Sequence, residues 1–207
     1  MPNLTAKAAA ELLALPAYEQ LRIITEQKYP HRKPNSFRTS FYSPALRAIT
    51  RFYREGNNPR VIQLAHERLD TLRPDSRRIN NRRVLESFAA SPQFARQLDI
   101  RPSGQYQAAI GDVVIRLAPD ILAHDNGSPK VIYYNLRSAA IPPEIARCTI
   151  EIAHWIFEAN GIRLPITAIE YVDLVENSVH TTARRRKRTI DRLRANAHVI
   201  SALWDSV

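Results

Sequence analysis

The chain has 207 residues, 44% hydrophobic and 24% charged, which is typical of a globular protein with a sizeable core. No run of about 18 apolar residues occurs, which argues against a transmembrane helix, and the single cysteine, Cys148, excludes an internal disulfide or a cysteine-based zinc site. Thirty basic residues against twenty acidic ones, mostly arginines, give a net charge of +10. The arginine-rich charge predicts a protein that binds nucleic acid, the alternative being a GC-rich genome that encodes arginine in place of lysine. The single cysteine indicates a cytoplasmic setting, and the lack of a long apolar run predicts no membrane partner.

The first 98 or so residues are predicted to be helical. Several helix starts are indicated by a capping residue, in two cases followed by proline at the first helical position. These starts are Thr5, Ser43-Pro44, Asn58-Pro59 and Ser76. The helix after Thr5 is expected to end near Leu15, and the one after Ser76 to reach Ala90. We assign residues 1–83 to an N-terminal helical module.

From Tyr106 the periodicity changes to short segments rich in β-branched and aromatic residues, separated by Gly or Asn-Gly. A long helix is predicted from Pro142-Pro143 to Asn160, then a strand over residues 166–174, and a final helix from Thr181 to Trp204. The order of strands and helices predicts an α+β fold, in which helices flank a small mixed central sheet. We assign residues 84–207 to this core domain.

The segment from Gly111 to Arg137 carries the most specific pattern. It reads as two strands joined by a turn that contains glycine; Pro119-Asp120 opens the second half of the first strand, and Asn135-Leu136-Arg137 closes the second. This layout resembles the catalytic hairpin of the PD-(D/E)XK nuclease superfamily, and the resemblance covers about residues 84–207. It implies a restriction-endonuclease-like core and Mg²⁺-dependent cleavage of DNA, in a defence, repair or mobile-element setting.

The resemblance also implies roles for individual residues. Asp120 stands at the position of the metal-ligating aspartate, whereas Asn135 and Arg137 replace the family's second carboxylate and its lysine. Because alternate residues of a strand share a face, Asn135 and Arg137 are expected on one face. An amide oxygen is a weaker ligand than a carboxylate, and arginine binds phosphate but cannot act as a base. Glu86 and Glu144, on the flanking helices, are the candidates for a displaced metal ligand.

These substitutions leave three functions open. The first is a Mg²⁺-dependent nuclease in which Asp120 holds the metal and Arg137 orients the phosphate. The second is a catalytically inactive nuclease-fold subunit, which serves as a nucleic-acid-binding or scaffolding component beside other protein subunits. The third is a helical DNA-binding regulator whose β region is only structural.

Three arginine-rich stretches are candidate nucleic-acid contacts. The last 27 residues hold seven basic and two acidic residues, so half of the net charge lies in about an eighth of the chain. Basic residues near a helix N-terminus oppose the helix dipole, and a bound polyanion would relieve that cost. Arg38 stands among aromatic residues that suit stacking on bases, although such aromatics are more often core. The candidates are Arg184, Arg185, Arg188 and Arg192, with Arg38, Arg78 and Arg82.

Overall fold

Two mixed β-sheets organise the chain in a computed structural model that describes residues 1–29, 41–102 and 104–207, with the backbone alone at residues 17 and 18. The larger sheet has the strand order β2-β5-β6-β7-β8, and the smaller one the order β1-β4-β3. The strands are β1 (Asn3–Thr5), β2 (Leu98–Ile100), β3 (Gln107–Ile110), β4 (Val113–Arg116), β5 (Ile121–Asp125), β6 (Ser128–Asn135), β7 (Ile169–Asp173) and β8 (Ser178–His180). The α+β class predicted from the sequence is confirmed; the likeness to a restriction endonuclease stays a prediction.

Seven α-helices occur in the described residues: α1 (Ala6–Ala14), α2 (Ala17–Lys28), α3 (Ser43–Arg54), α4 (Pro59–Leu69), α5 (Asp75–Ala90), α6 (Pro143–Ala159) and α7 (Lys187–Ser206). Two of the four predicted caps are observed, and α3 begins at Ser43 itself, so that Tyr42 and not Ser43 is its N-cap. The Thr5 hydroxyl accepts the Ala8 N–H at 3.2 Å, and the Asn58 side chain accepts the Arg60 N–H at 3.1 Å. The predicted cap at Ser76 is wrong, because α5 already begins at Asp75, directly after Pro74.

The centre of the larger sheet follows the sequence pattern closely. β5 and β6 form an antiparallel hairpin, and the Asn126-Gly127 turn between them has positive φ at both residues, 49° and 80°. Asparagine and glycine are the residues that adopt this backbone most readily. β6 and β7 are parallel, with α6 as the crossover between them. The predicted hairpin and mixed sheet are therefore confirmed.

Alternation along the central strands divides the hydrophobic core into two clusters. Val131 and Tyr133 of β6 pack with α1, α2, α6, α7 and the smaller sheet, whereas Ile132 and Tyr134 pack with α3, α4 and α5. The domain boundary predicted at residue 83 does not coincide with the division between these clusters. The helices before it are shared out: α1 and α2 pack in the first cluster, whereas α3, α4 and α5 pack in the second.

The structure corrects two further predictions. The strand expected to run from Gly111 towards Asp125 is two strands in different sheets, β4 and β5, because the chain leaves the smaller sheet at Leu117 before Pro119-Asp120. The final helix begins at Lys187 and not at Thr181, so Arg184 and Arg185 precede it. The N-cap of α7 is Arg186, which forms no side-chain cap, and the first turn of the helix contains no acidic residue.

Candidate functional site

A cavity of about 640 Å³ lies where α1 meets the ends of β5 and β6. It is lined by the three residues at the positions of the family's catalytic motif, Asp120, Asn135 and Arg137, and by Lys7 and Glu11 of α1. The antiparallel pairing of β5 and β6 places the start of one beside the end of the other, which brings Asp120 to Tyr134 and Asn135. This cavity is therefore the candidate site.

Asp120 is bound to a lysine. Its Oδ2 accepts hydrogen bonds from Lys7 Nζ at 2.6 Å and from the Tyr134 N–H at 2.8 Å. Lys7 Nζ also donates to the Tyr134 carbonyl at 3.0 Å and lies 5.5 Å and 5.6 Å from the ring centres of Tyr133 and Tyr171. Burial alone would lower the pKa of Lys7, but Asp120 outweighs it and the pKa is raised. Lys7 thus stays charged and neutralises Asp120.

Asn135 is used to build the turn after β6. It is only 2% exposed; its side-chain N–H groups donate to the Ala139 carbonyl at 2.8 Å and to Asp173 Oδ1 at 3.2 Å, and its oxygen accepts the Arg137 N–H at 3.2 Å. Asp173, fully buried, also accepts the N–H groups of Ile141 and Val175 at 2.6 Å and 2.8 Å. The amide and carboxylate thus hold the loop that follows the strand.

Arg137 lies beyond the end of β6, so the expected shared strand face with Asn135 is wrong. Its guanidinium forms an ion pair with Glu11, whose side chain is 6% exposed. The carbonyls of Leu136 and Arg137 accept hydrogen bonds from the Arg83 guanidinium at 2.8 Å and 2.7 Å. A buried carboxylate and an arginine from α5 therefore fix this loop.

The residues of the cavity do not fit a magnesium ion. Mg²⁺ takes octahedral oxygen ligands, commonly one or two carboxylates. Here the Asp120 and Glu11 carboxylates are each paired with a basic side chain, and the Asn135 oxygen faces a backbone N–H. Within residues 1–29, 41–102 and 104–207, no group of three His, Cys, Asp or Glu side chains could hold a metal.

The two glutamates proposed as displaced ligands lie elsewhere. Glu86 is exposed on α5, and neither it nor Glu144 lines the cavity. Glu144 forms ion pairs with Arg147 and, at 3.1 Å and 3.8 Å, with Arg186 and Arg192. Its charge is used to join α6 to α7, so these contacts do not support a role as a metal ligand beside Asp120.

The basic run before and within α7 divides into two sets. Arg185 pairs with Glu158, and the Arg192 guanidinium donates to the Leu13 carbonyl, so both serve the packing. Arg184 and Arg188 are exposed, as is Lys187, and none of these three has an ion pair with any described residue. Of the four arginines predicted here, Arg184 and Arg188 are thus exposed; with Lys187 they form a group at the start of α7, which we call the α7 basic group.

The other basic candidates are spread over the surface. Arg78 pairs with Asp75 at 3.4 Å and Arg82 with Asp70, so both are partly neutralised. They lie one turn apart on α5. Arg38 lies outside the described residues.

Sequence reasoning missed three residues of the cavity: Lys7, Glu11 and Tyr171. A signal for the first two was present, because they are four residues apart in a helix otherwise composed of alanine and leucine. Charged residues on an apolar helix that share one face indicate a paired or functional role. Tyr171 offered no such signal in a strand of ordinary composition. Burial raises the pKa of Tyr171; the nearby Lys7 and Arg137 lower it by smaller amounts, and Asp120 and Glu11 raise it further.

Comparison with protein-family models, curated proteins and solved structures finds no match to this chain. Among the helices that the structure describes, none has the length and apolar character needed to cross a membrane.

Proposed function

We propose that the chain is a nucleic-acid-binding protein with a nuclease-like core that holds DNA without cutting it. The observation that carries the proposal is the ion pair of Lys7 with Asp120, at 2.6 Å, which occupies the carboxylate that a nuclease would use for its metal. Asn135 and Arg137 support the same conclusion, since one builds a turn and the other neutralises Glu11. The hairpin of β5 and β6, followed by a parallel crossover to β7, supports the nuclease-like core.

The α7 basic group supports binding to nucleic acid. Its three cations are exposed, and no acidic residue lies in the first turn of α7. The positive end of the helix dipole disfavours cations there by about 0.3–1 kcal/mol each. A phosphate backbone would relieve this repulsion and release its own counterions, which is the main source of affinity in sequence-independent binding.

Salt dependence tests the binding surface. For a short DNA duplex, each phosphate contact contributes about 0.9 to the slope of log affinity against log salt. We expect the double substitution Arg184→Gln and Arg188→Gln to reduce that slope by about 1.8. The matched control removes two exposed arginines of α4, Arg60 and Arg68, which have no ion pair with any described residue. Equal slopes for both double variants would contradict the proposed surface.

Cleavage assays test the other half of the proposal. Plasmid, linear duplex and single-stranded DNA are incubated with the protein and with Mg²⁺ or Mn²⁺. We expect binding without cleavage in every case. Cleavage that disappears in Asp120→Ala would show that Asp120 serves a catalytic site, and the proposal of a non-cleaving protein would then be wrong.

A further inference from the structure

The charges around the cavity bear on what it binds. Its described lining carries three basic side chains, Lys7, Arg116 and Arg137, and three acidic ones, Glu11, Glu26 and Asp120. Two of the basic groups are paired within the cavity, and Glu26 is paired with Arg22 at 2.9 Å. A phosphate would have to compete with carboxylates for both paired cations. The third basic group, Arg116, is exposed and has no ion pair with any described residue, so the lining offers an anion one unpaired cation and otherwise suits an uncharged polar ligand.

The Tyr171 hydroxyl is a polar group available to such a ligand. Tyr171 is 5% exposed and lines the cavity, yet its hydroxyl has no hydrogen-bond partner among the described residues. Its ring stacks beside that of Tyr133, with centres 6.2 Å apart. The hydroxyl oxygen is not fully enclosed, so it is free to take a hydrogen-bond partner from the cavity, and a polar group of a bound ligand would supply one.

The lining also includes an aromatic surface. Phe41 and Tyr42 are half-buried, contact the cavity and meet edge to face, with ring centres 5.0 Å apart. Planar heterocycles stack on such side chains regardless of base identity. A volume of about 640 Å³ lies within the range of pockets for small molecules and accommodates a nucleoside.

We propose that the cavity receives one unpaired nucleobase, with its sugar, from the bound strand. This inference rests on the proposed function and adds a site of different chemistry from the α7 basic group. The base would stack on Phe41 or Tyr42, and its edge would hydrogen-bond to the Tyr171 hydroxyl. A base enters most easily from a single strand or a mismatched pair, because no complete pairing is lost. The protein should therefore prefer single-stranded or mismatched DNA to a matched duplex.

Free nucleosides test the cavity independently of the nucleic-acid surface. Adenosine, guanosine, cytidine and thymidine are titrated separately into the full chain by calorimetry, with ribose 5-phosphate and inorganic phosphate as the anionic probes. We expect at least one nucleoside to bind and both anions not to bind. Tyr42→Ala should weaken the nucleoside about tenfold through lost stacking. Tyr171→Phe should weaken it several-fold with the fold preserved, and Tyr106→Phe, outside the cavity, serves as the matched control.

Oligonucleotides then connect the cavity to the bound strand. Tyr171→Phe should lower the ratio of single-strand to duplex affinity and leave the salt slope unchanged. The double substitution Arg184→Gln and Arg188→Gln should lower the slope and leave nucleoside binding unchanged. Nucleoside binding without DNA binding would contradict the proposed function and, with it, the claim that the base comes from a bound strand. The inference itself is overturned if no nucleoside binds, if ribose 5-phosphate binds as well as a nucleoside, or if Tyr171→Phe changes neither measurement.

Discussion

The substitution Asp120→Ala separates a structural carboxylate from a catalytic one. Asp120 accepts hydrogen bonds from Lys7 Nζ and from the Tyr134 N–H. Tyr134 is 1% exposed, so its N–H would lose a partner in a buried setting, at a cost of about 1–3 kcal/mol. The Lys7 side chain is 28% exposed and keeps its hydrogen bond to the Tyr134 carbonyl. Loss of its ion pair with Asp120 should therefore cost only about 1 kcal/mol. We therefore expect Asp120→Ala to lower the free energy of unfolding by about 2–4 kcal/mol.

Urea unfolding followed by circular dichroism at pH 7 measures this loss. The matched control is Asp112→Ala, an exposed aspartate in the turn between β3 and β4, which should change stability by less than about 0.5 kcal/mol. Lys7→Met and the double variant complete a mutant cycle, and the coupling between the two side chains should be about 1 kcal/mol.

A metal-binding carboxylate would behave differently. In that case Mg²⁺ would stabilise the wild-type protein by mass action, and Asp120→Ala would abolish the effect. Removal of a ligand carboxylate would also leave stability unchanged or raised, since catalytic groups are often held at a cost to stability. The reasoning is refuted if Asp120→Ala is as stable as Asp112→Ala, or if millimolar Mg²⁺ raises the unfolding free energy of the wild type alone.

Further predictions concern other buried polar groups. The Tyr133 hydroxyl is buried without a hydrogen-bond partner in the described chain. Tyr133→Phe should therefore leave the free energy of unfolding, measured by urea titration, unchanged or raise it by up to about 1 kcal/mol. A marked loss of stability would contradict this prediction. Burial raises the pKa of Tyr53 to about 12 and raises those of Tyr133 and Tyr171. Above about pH 10 the folded chain keeps protons that the unfolded chain releases, so the free energy of unfolding should fall by up to about 1.4 kcal/mol per pH unit for each tyrosine. Tyr133→Phe should reduce that slope. A free energy of unfolding that stays constant from about pH 9 to 11 would contradict this prediction. Asp173→Ala leaves three hydrogen-bond donors without their acceptor and should lower the free energy of unfolding by about 3–5 kcal/mol, measured by the same urea titration. A loss below about 1 kcal/mol would show that other contacts hold the loop after β6.

Much of the larger sheet could be predicted because its signals are local. Asn58 starts a helix because its side chain accepts a hydrogen bond from the Arg60 N–H, two positions away. Asn126-Gly127 forms the turn of a hairpin whose two strands are neighbours in the chain. The helix from Pro143 to Ala159 is long and bounded by proline and by Asn160-Gly161. Propensity, capping and turn geometry act over a few residues, so a single sequence contains enough to place them.

Short strands were not predictable in the same way. β1, β2 and β8 have three residues each, too few for a period of two to be recognised. β1 exists because Leu4 pairs with Ile115, far along the chain. The division of Gly111–Asp125 between two sheets has the same cause, since the partners of β4 and β5 lie in different parts of the molecule.

The candidate site shows the boundary between the two kinds of information most clearly. The sequence by itself determined the α+β class, the hairpin that carries Asp120 and Asn135, and the excess of positive charge near the end of the chain. Only the tertiary structure decided that Lys7, 113 residues from Asp120, neutralises it, and that Arg185 and Arg192 are used in packing whereas Arg184 and Arg188 are exposed. The physical reason is that charge is a property of the residue, but whether a charge is available depends on which partner the fold brings within a few ångströms of it.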